Sequence, residues 1–282
     1  MIILDGKKTS RELKEEVKAM LDKAYETTDK RCSLAIVMVG NNPASEVYVG
    51  NKSKSANECG IKAETCRLPE NTTEEELISL MNRLASDESV HGIIVQLPLP
   101  KHLDGDKMTE MVPPEKDVDG FTTVSLGKLA LGKDGFISCT PNGVVYMLKR
   151  YGIPLKGKHA VILGRSKIVG KPLALALLEE DCTVTVCHSK TENLKDIVKT
   201  ADIVVAAIGR PRFVTEDMIK DGAVVVDVGI NRTESGLCGD VDFDKVAPHC
   251  SYITPVPGGV GPMTVAMLMA NTAKAFVNSL KK

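Results

Sequence analysis

Apolar residues recur along this chain of 282 residues in two alternating patterns. Residues 10–28 place Leu13, Val17, Met20, Leu21 and Ala24 on one face, the spacing of an amphipathic helix, with Thr9 or Ser10 available as its N-cap. Residues 33–39 (SLAIVMV) are an unbroken apolar run of strand length. A helix is predicted from about residue 44 to Cys59, with Gly60 as its C′ residue, followed by a strand over 62–68. Thr73 with Glu76 then opens another helix in a capping-box pattern. A third strand is predicted at 91–97 (HGIIVQL), closed by Pro98 and Pro100. Runs that are continuously apolar, not alternating, belong to strands buried on both faces of a parallel sheet.

The pattern breaks at residues 101–135, where Asp, Gly, Pro and Lys dominate, as in a loop-bearing connection between domains. Thr140 and Pro141 are placed as N-cap and first residue of a helix to about Tyr151, expected to cross from one domain to the other. Strands are then predicted at 160–163, 183–187, 203–207 and 223–228, with helices at 171–180 and 192–199. Residues 263–280 are helical in spacing. No repeat or low-complexity segment interrupts the series. The fold class is α/β, in two α/β domains.

Composition removes several functions. Thirty-six Lys and Arg against 37 Asp and Glu give a net charge of -1, with nothing global to attract nucleic acid or an anionic membrane. Eight scattered cysteines include no C-x-x-C pair, so metal-ligand spacing is absent, and they read as reduced thiols. No apolar run approaches the roughly 20 residues that span a bilayer, and the amino terminus lacks a secretory pattern. A cytoplasmic protein is expected.

Candidate chemistry is local. AVILGRSKIVG at 160–170 reads strand, glycine turn, helix, the setting in which a dinucleotide phosphate meets a helix N-terminus. Ser166 stands where the second glycine of that pattern belongs, so an ordinary strand-to-helix turn is the competing reading. NAD sites place an acid about 20 residues on. Here the next strand ends CHSK at 187–190 with no acid, while Arg165 lies in the turn itself, which favours the 2′-phosphate of NADP. Ile230 follows another strand, where core packing is the simpler expectation. Tyr48 and Lys52 share a helical face, as a solvated pair also would. Gln96 ends a very apolar strand, where its amide must be hydrogen-bonded or lie against a ligand. Asp117 and Asp119 sit in a turn and would by default be exposed. The glycines of PVPGGVGP at 255–262 permit close approach of backbone to a ligand.

Five motifs in order, YVGNK at 48–52, VQLPLP at 95–100, KDVDG at 116–120, GRSKIVG at 164–170 and PVPGGVGP at 255–262, resemble the bifunctional methylenetetrahydrofolate dehydrogenase/methenyltetrahydrofolate cyclohydrolase family over almost the whole chain. The resemblance implies a folate-binding α/β domain at 1–120 completed by the helix at 263–282, a connection at 121–139, and a Rossmann-like NADP domain at 140–262, with the active site in an interdomain cleft. It implies a cytoplasmic homodimer serving one-carbon metabolism and purine biosynthesis. The activities implied are oxidation of 5,10-methylenetetrahydrofolate by NADP+ and hydrolysis of the methenyl product to 10-formyltetrahydrofolate. By position, Tyr48 would stack on the folate and Asp119 would hold the pterin. Lys52 would be the catalytic group with Gln96 as its partner. Val95, Leu97, Pro257, Gly258, Gly259, Val260 and Gly261 would line the folate site, and Gly164, Arg165, Ser166, Ser189 and Ile230 would contact NADP. No metal is implied. Desolvation and a cationic substrate both lower a lysine pKa, so Lys52 is expected to exchange a proton with the attacking water. A dehydrogenase of another small substrate and a non-catalytic nucleotide-binding protein are the competing readings.

Overall fold

The computed structural model describes residues 1–234 and 236–281. Its elements are β1 (Ile2–Ile3), α1 (Gly6–Tyr25), β2 (Ser33–Val39), α2 (Pro43–Glu58), β3 (Lys62–Leu68), α3 (Glu74–Ser86), β4 (Gly92–Val95), α4 (Gly105–Glu110), α5 (Thr123–Ala130) and α6 (Cys139–Arg150). There follow β5 (His159–Leu163), α7 (Gly170–Glu179), β6 (Thr183–Cys187), α8 (Leu194–Lys199), β7 (Ile203–Ala206), β8 (Ala223–Asp227), β9 (Asn231–Thr233), β10 (Gly236–Cys238), α9 (Phe243–Val246), β11 (Cys250–Ile253) and α10 (Val260–Ser279). They form two compact units, one of Arg11–Cys139 with Val265–Lys282 and the other of Met1–Ser10 with Thr140–Thr264.

The first unit holds a parallel three-stranded sheet in the order β3-β2-β4. Central β2 is buried along almost its whole length, as its unbroken apolar run requires, whereas edge strand β3 alternates. Val37, Ile93, Leu77, Met81 and Met108 meet in its core. Met108 corrects the sequence reading, because it belongs to α4, inside a stretch expected to be loop. The residues that suggested a loop are in part helix caps. Asp104 accepts from the N–H groups of Asp106 and Lys107 at 2.9 and 3.1 Å, and Thr122 caps α5 through Ser125 N.

The second unit holds a six-stranded sheet in the order β1-β11-β8-β7-β5-β6, with every neighbouring pair parallel. Strand order reverses between β5 and β7, which opens a crevice at their carboxyl ends. Neither β1 nor β11 stands out in the hydrophobic pattern, and β1, two residues long, is a strand only because β11 pairs with it. Strands β9 and β10 form a separate hairpin. Thr140, expected to cap α6, lies within its first turn, and its hydroxyl meets that of Thr264 at 2.9 Å.

The eight cysteines are free thiols. Burial pushes Cys59 up to about 11 and Cys250 to about 12, so both behave as small apolar fillers.

His91 lies just before β4, 5% exposed. Its Nδ1 accepts the Ser33 N–H at 3.2 Å, and its ring packs edge-on against Phe276. Burial, reinforced by the charge of Lys116 and Lys30, lowers its pKa, so the folded chain resists a proton that the unfolded chain takes up. Stability is therefore expected to fall as pH drops below about 6.5. Urea unfolding at pH 7 and pH 5 should show a smaller loss for His91→Asn than for the wild type. Equal losses would mean that other groups set the acid limb.

Candidate active site and cofactor pocket

In the three-stranded unit, β2 leads into α2, which carries Tyr48 and Lys52. Asn42 caps this helix by accepting from the N–H groups of Ala44 and Ser45, with Pro43 in the first turn. The i, i+4 spacing puts the phenol and the ammonium on one face. Tyr48 is 52% exposed, an aromatic face left open, while Lys52 is half-buried. Lys52 Nζ donates to Gln96 Oε1 at 3.2 Å. Gln96 follows β4, and its Nε2 donates to the Leu97 carbonyl at 2.8 Å, which turns the amide oxygen toward the lysine. Gln96 is therefore buried and satisfied, and Val95 beside it is buried in the core.

The KDVDG turn divides its charges. Lys116 Nζ donates to the carbonyls of Leu84, Ala85 and Asp87 and closes the end of α3. Asp117, expected to be exposed, is buried. It accepts from Phe121 N, Thr122 N, Thr122 Oγ1 and Ser125 Oγ at 2.6–3.1 Å. Gly120 adopts φ +69°, and a Cβ there would lie 2.5 Å from Ser138 N, so only glycine fits. Asp119 alone keeps a carboxylate without a strong donor; Cys139 Sγ lies 3.9 Å from its Oδ1. Burial raises its pKa, and the Lys52 ammonium opposes that rise. Lys52, Gln96 and Asp119 thus share one environment.

Three further side chains here escaped the sequence reading. Ser45, one helical turn before Tyr48 and on the face of Lys52, has a buried hydroxyl without a hydrogen-bond partner. Cys139 donates to the Val118 carbonyl, and burial raises its pKa well above the usual range. Asn271 of α10 donates to the carbonyls of Val118 and Ile137 at 2.8 and 3.2 Å and ties down the Asp119 turn. The available signal was a lone Asn in an otherwise apolar helix.

In the six-stranded unit, a cavity of about 310 Å³ opens at the reversal of strand order. Gly164, Arg165, His188, Ser189, Ala207, Ile208, Arg210 and Phe213 are among its walls. Gly164, at φ +114°, passes so close to Ala207 that a Cβ would lie 2.2 Å from its carbonyl. Ser166 takes a role the glycine pattern did not suggest. Its Oγ accepts from Val169 N at 3.1 Å and Gly170 N at 3.3 Å, so N–H groups expected to be free for phosphate are already engaged. Arg165 and Arg210 supply the cationic side chains of this lining, which carries no carboxylate. Such a lining fits a phosphorylated dinucleotide, and the missing acid fits a 2′-phosphate.

Ile230 is 53% exposed, which overturns the core-packing expectation and leaves an apolar surface beside Gly261. The Pro257–Gly261 run packs partly on its own unit: Lys7 N donates to the Gly258 carbonyl at 3.2 Å, and a Cβ on Gly6 would collide with the Gly259 carbonyl. A Cβ on Gly259 would lie 2.6 Å from the Pro255 carbonyl oxygen and 2.8 Å from Thr254 Cβ, so this glycine is spent on chain packing.

The family model of the tetrahydrofolate dehydrogenase/cyclohydrolase catalytic domain matches residues 4–119, and that of its NAD(P)-binding domain matches 138–280. The chain belongs to the tetrahydrofolate dehydrogenase/cyclohydrolase family. It is 58% identical over the full length of both chains to the bifunctional protein FolD of Campylobacter concisus. A crystal structure of the bifunctional FolD enzyme of Campylobacter jejuni superposes with TM-score 0.96 at 50% identity, covering 99% of each chain. A Trypanosoma brucei dehydrogenase-cyclohydrolase, solved with NADP cofactor and an inhibitor, gives 0.93 at 38% identity, covering 100% of this chain and 99% of its own. Tyr48, Lys52, Gln96 and Asp119 fall within the span of the family's catalytic-domain model, and Arg165, Ser189 and Ile230 within that of its NAD(P)-binding model.

The two carboxylates of this family member's KDVDG turn should separate in stability. Asp117→Ala strands buried donors and is expected to cost about 3 kcal/mol. Asp119→Asn removes a carboxylate whose ionised form is disfavoured by burial, so stability should hold or rise. Urea midpoints for the two variants give the comparison, and a larger loss for Asp119→Asn would contradict the assignment.

Proposed function

We propose that this enzyme oxidises 5,10-methylenetetrahydrofolate to 5,10-methenyltetrahydrofolate with NADP+ and hydrolyses the product to 10-formyltetrahydrofolate, with Lys52 at the centre of the second step. The observation that carries the assignment is the 3.2 Å bond from Lys52 to a Gln96 amide whose orientation the Leu97 carbonyl sets. NADP+, when bound, supplies the hydride acceptor. That step needs no protein acid or base, so the residues around it serve to hold the two reacting carbons. Tyr48 stacks on the folate and Asp119 accepts hydrogen bonds from the pterin. Val95, Leu97 and the run from Pro257 to Gly261 complete the folate contacts. Arg165 pairs with the 2′-phosphate, and Gly164, Ser166, Ser189 and Ile230 contact the rest of the cofactor.

In the hydrolytic step water forms a C–O bond to the methenyl carbon, one C–N bond breaks, and a proton is released overall. Lys52 takes the proton from the attacking water and returns one to the departing ring nitrogen, while Gln96 fixes the amine's direction. Functionally, residues 1–120 with 263–282 bind folate and 140–262 bind NADP, with 121–139 between them. Within that scheme the first residues serve the NADP part structurally, since β1 pairs with β11. We place the enzyme in the cytoplasm as a homodimer. No helix among the described residues is long and apolar enough to cross a bilayer.

Two substitutions test the roles. Lys52→Met keeps the stem and removes the amine; cyclohydrolase turnover should fall by about 10²–10⁴-fold, dehydrogenase turnover should fall less, and methenyl absorbance should accumulate. Ring opening at the wild-type rate would make the lysine structural. Arg165→Ala should raise the KM for NADP+ by roughly ten- to hundredfold, the loss of one charged hydrogen-bonded contact, with NAD+ use nearly unchanged. Equal losses with both cofactors would reject the 2′-phosphate contact.

A further inference from the structure

Two buried carboxylates of the six-stranded unit have no place in the chemistry above. Asp227 ends β8 at 3% exposure, and Asp240, beyond β10, is fully buried. Asp227 Oδ1 accepts from Gly229 N at 2.9 Å and Asp240 N at 3.0 Å, and its Oδ2 accepts from Val241 N at 2.9 Å. Asp240 Oδ2 accepts from Ile208 N at 2.7 Å and Gly209 N at 2.9 Å. Its Oδ1 accepts from Arg210 N and Asn231 Nδ2, both at 2.9 Å. The packing is reciprocal. A Cβ on Gly229 would lie 2.2 Å from Asp240 Oδ1, and one on Gly239 would lie 1.8 Å from Asp227 Oδ2.

This arrangement is costly for a fold. All of these donors are neutral, and the two carboxylates share one interior site. Burial pushes the Asp227 carboxyl up to about 6, so its ionised form at neutral pH weakens the folded state. Groups that cost stability in this way commonly sit where geometry has to be held for function. The segments held here are 208–210 and 229–231. Ile208 and Arg210 are walls of the cavity at the strand-order reversal, and the Arg210 guanidinium is itself stacked 4.5 Å above the Phe213 ring.

We propose that Asp227 and Asp240 are positioning residues for cofactor binding: Asp240 gathers the N–H groups of 208–210 and the Asn231 amide, and Asp227 fixes Asp240 through its backbone. The proposal rests on the reading of that cavity as the NADP site. Neither carboxylate touches the cofactor; each acts through the loop it holds. An apolar core at the same place would fold as well but would leave 208–210 and 229–231 without shared acceptors.

Asp240→Asn tests it, because an amide turns an N–H₂ toward one of the two donor pairs and so releases half of the loop anchors. The KM for NADP+ is expected to rise about tenfold, by a larger factor than kcat falls. Cyclohydrolase turnover, assayed without cofactor, should persist. Asn231→Ala removes a single donor to the same carboxylate and should raise the KM about threefold, which keeps the test open if Asp240→Asn fails to fold. Wild-type KM in a folded variant, beside a raised KM in Arg165→Ala, would overturn the positioning role while leaving the cavity assignment intact. Unchanged NADP+ KM in Arg165→Ala as well would overturn both. Parallel loss of the two activities would show a general structural role and overturn the proposal.

Discussion

Parallel pairing is the constraint on which the rest of this structure depends. A strand with parallel neighbours on both sides is buried on both faces, so its side chains are committed to the core and chemistry is left to the segments beyond its carboxyl end. Central strands β2, β5 and β7 obey this, and the edge strands β4 and β6 deliver their residues at the same carboxyl end. Gln96 follows β4, Gly164 and Arg165 follow β5, His188 and Ser189 follow β6, and Ile208 to Arg210 follow β7. In each sheet the candidate residues gather where strand order changes direction, next to β2 and β4 in one and between β5 and β7 in the other.

Within that frame, the division of charged residues between holding and acting decides what each unit can do. Lys116 and Asp117 are consumed by backbone and hydroxyl partners, and the saturation of Asp117 leaves Asp119 as the turn's available carboxylate. The same economy operates around the cofactor pocket. Asp227 and Asp240 are saturated by N–H donors, while Arg165 and Arg210 remain on walls without a carboxylate. Saturated carboxylates set the shape of a loop, and unsaturated groups beside them are free to meet a ligand.

Much of this was legible in the residues. The apolar run SLAIVMV became a buried central strand, Thr73 and Glu76 formed their capping box, and the strand at 183–187 has the bounds its pattern indicated. Tyr48 and Lys52 share the face their spacing required. The stretch 101–135 was misread because Asp104 and Thr122 serve as helix caps, and composition alone does not distinguish a cap from a loop. Strand β1 was missed because two residues carry no period.

The sequence by itself determined the α/β class, the helix and strand periods, the absence of an acid after β6 and the motifs that mark the family, since each depends on residues near one another along the chain. Which of two neighbouring carboxylates is spent, that Gln96 turns its oxygen to Lys52, that Ser166 occupies the helix N–H groups and that Ile230 stands exposed were decided by the tertiary structure alone. Those outcomes depend on where distant backbone donors and acceptors arrive, and a buried polar group takes whichever partner the packing brings within reach.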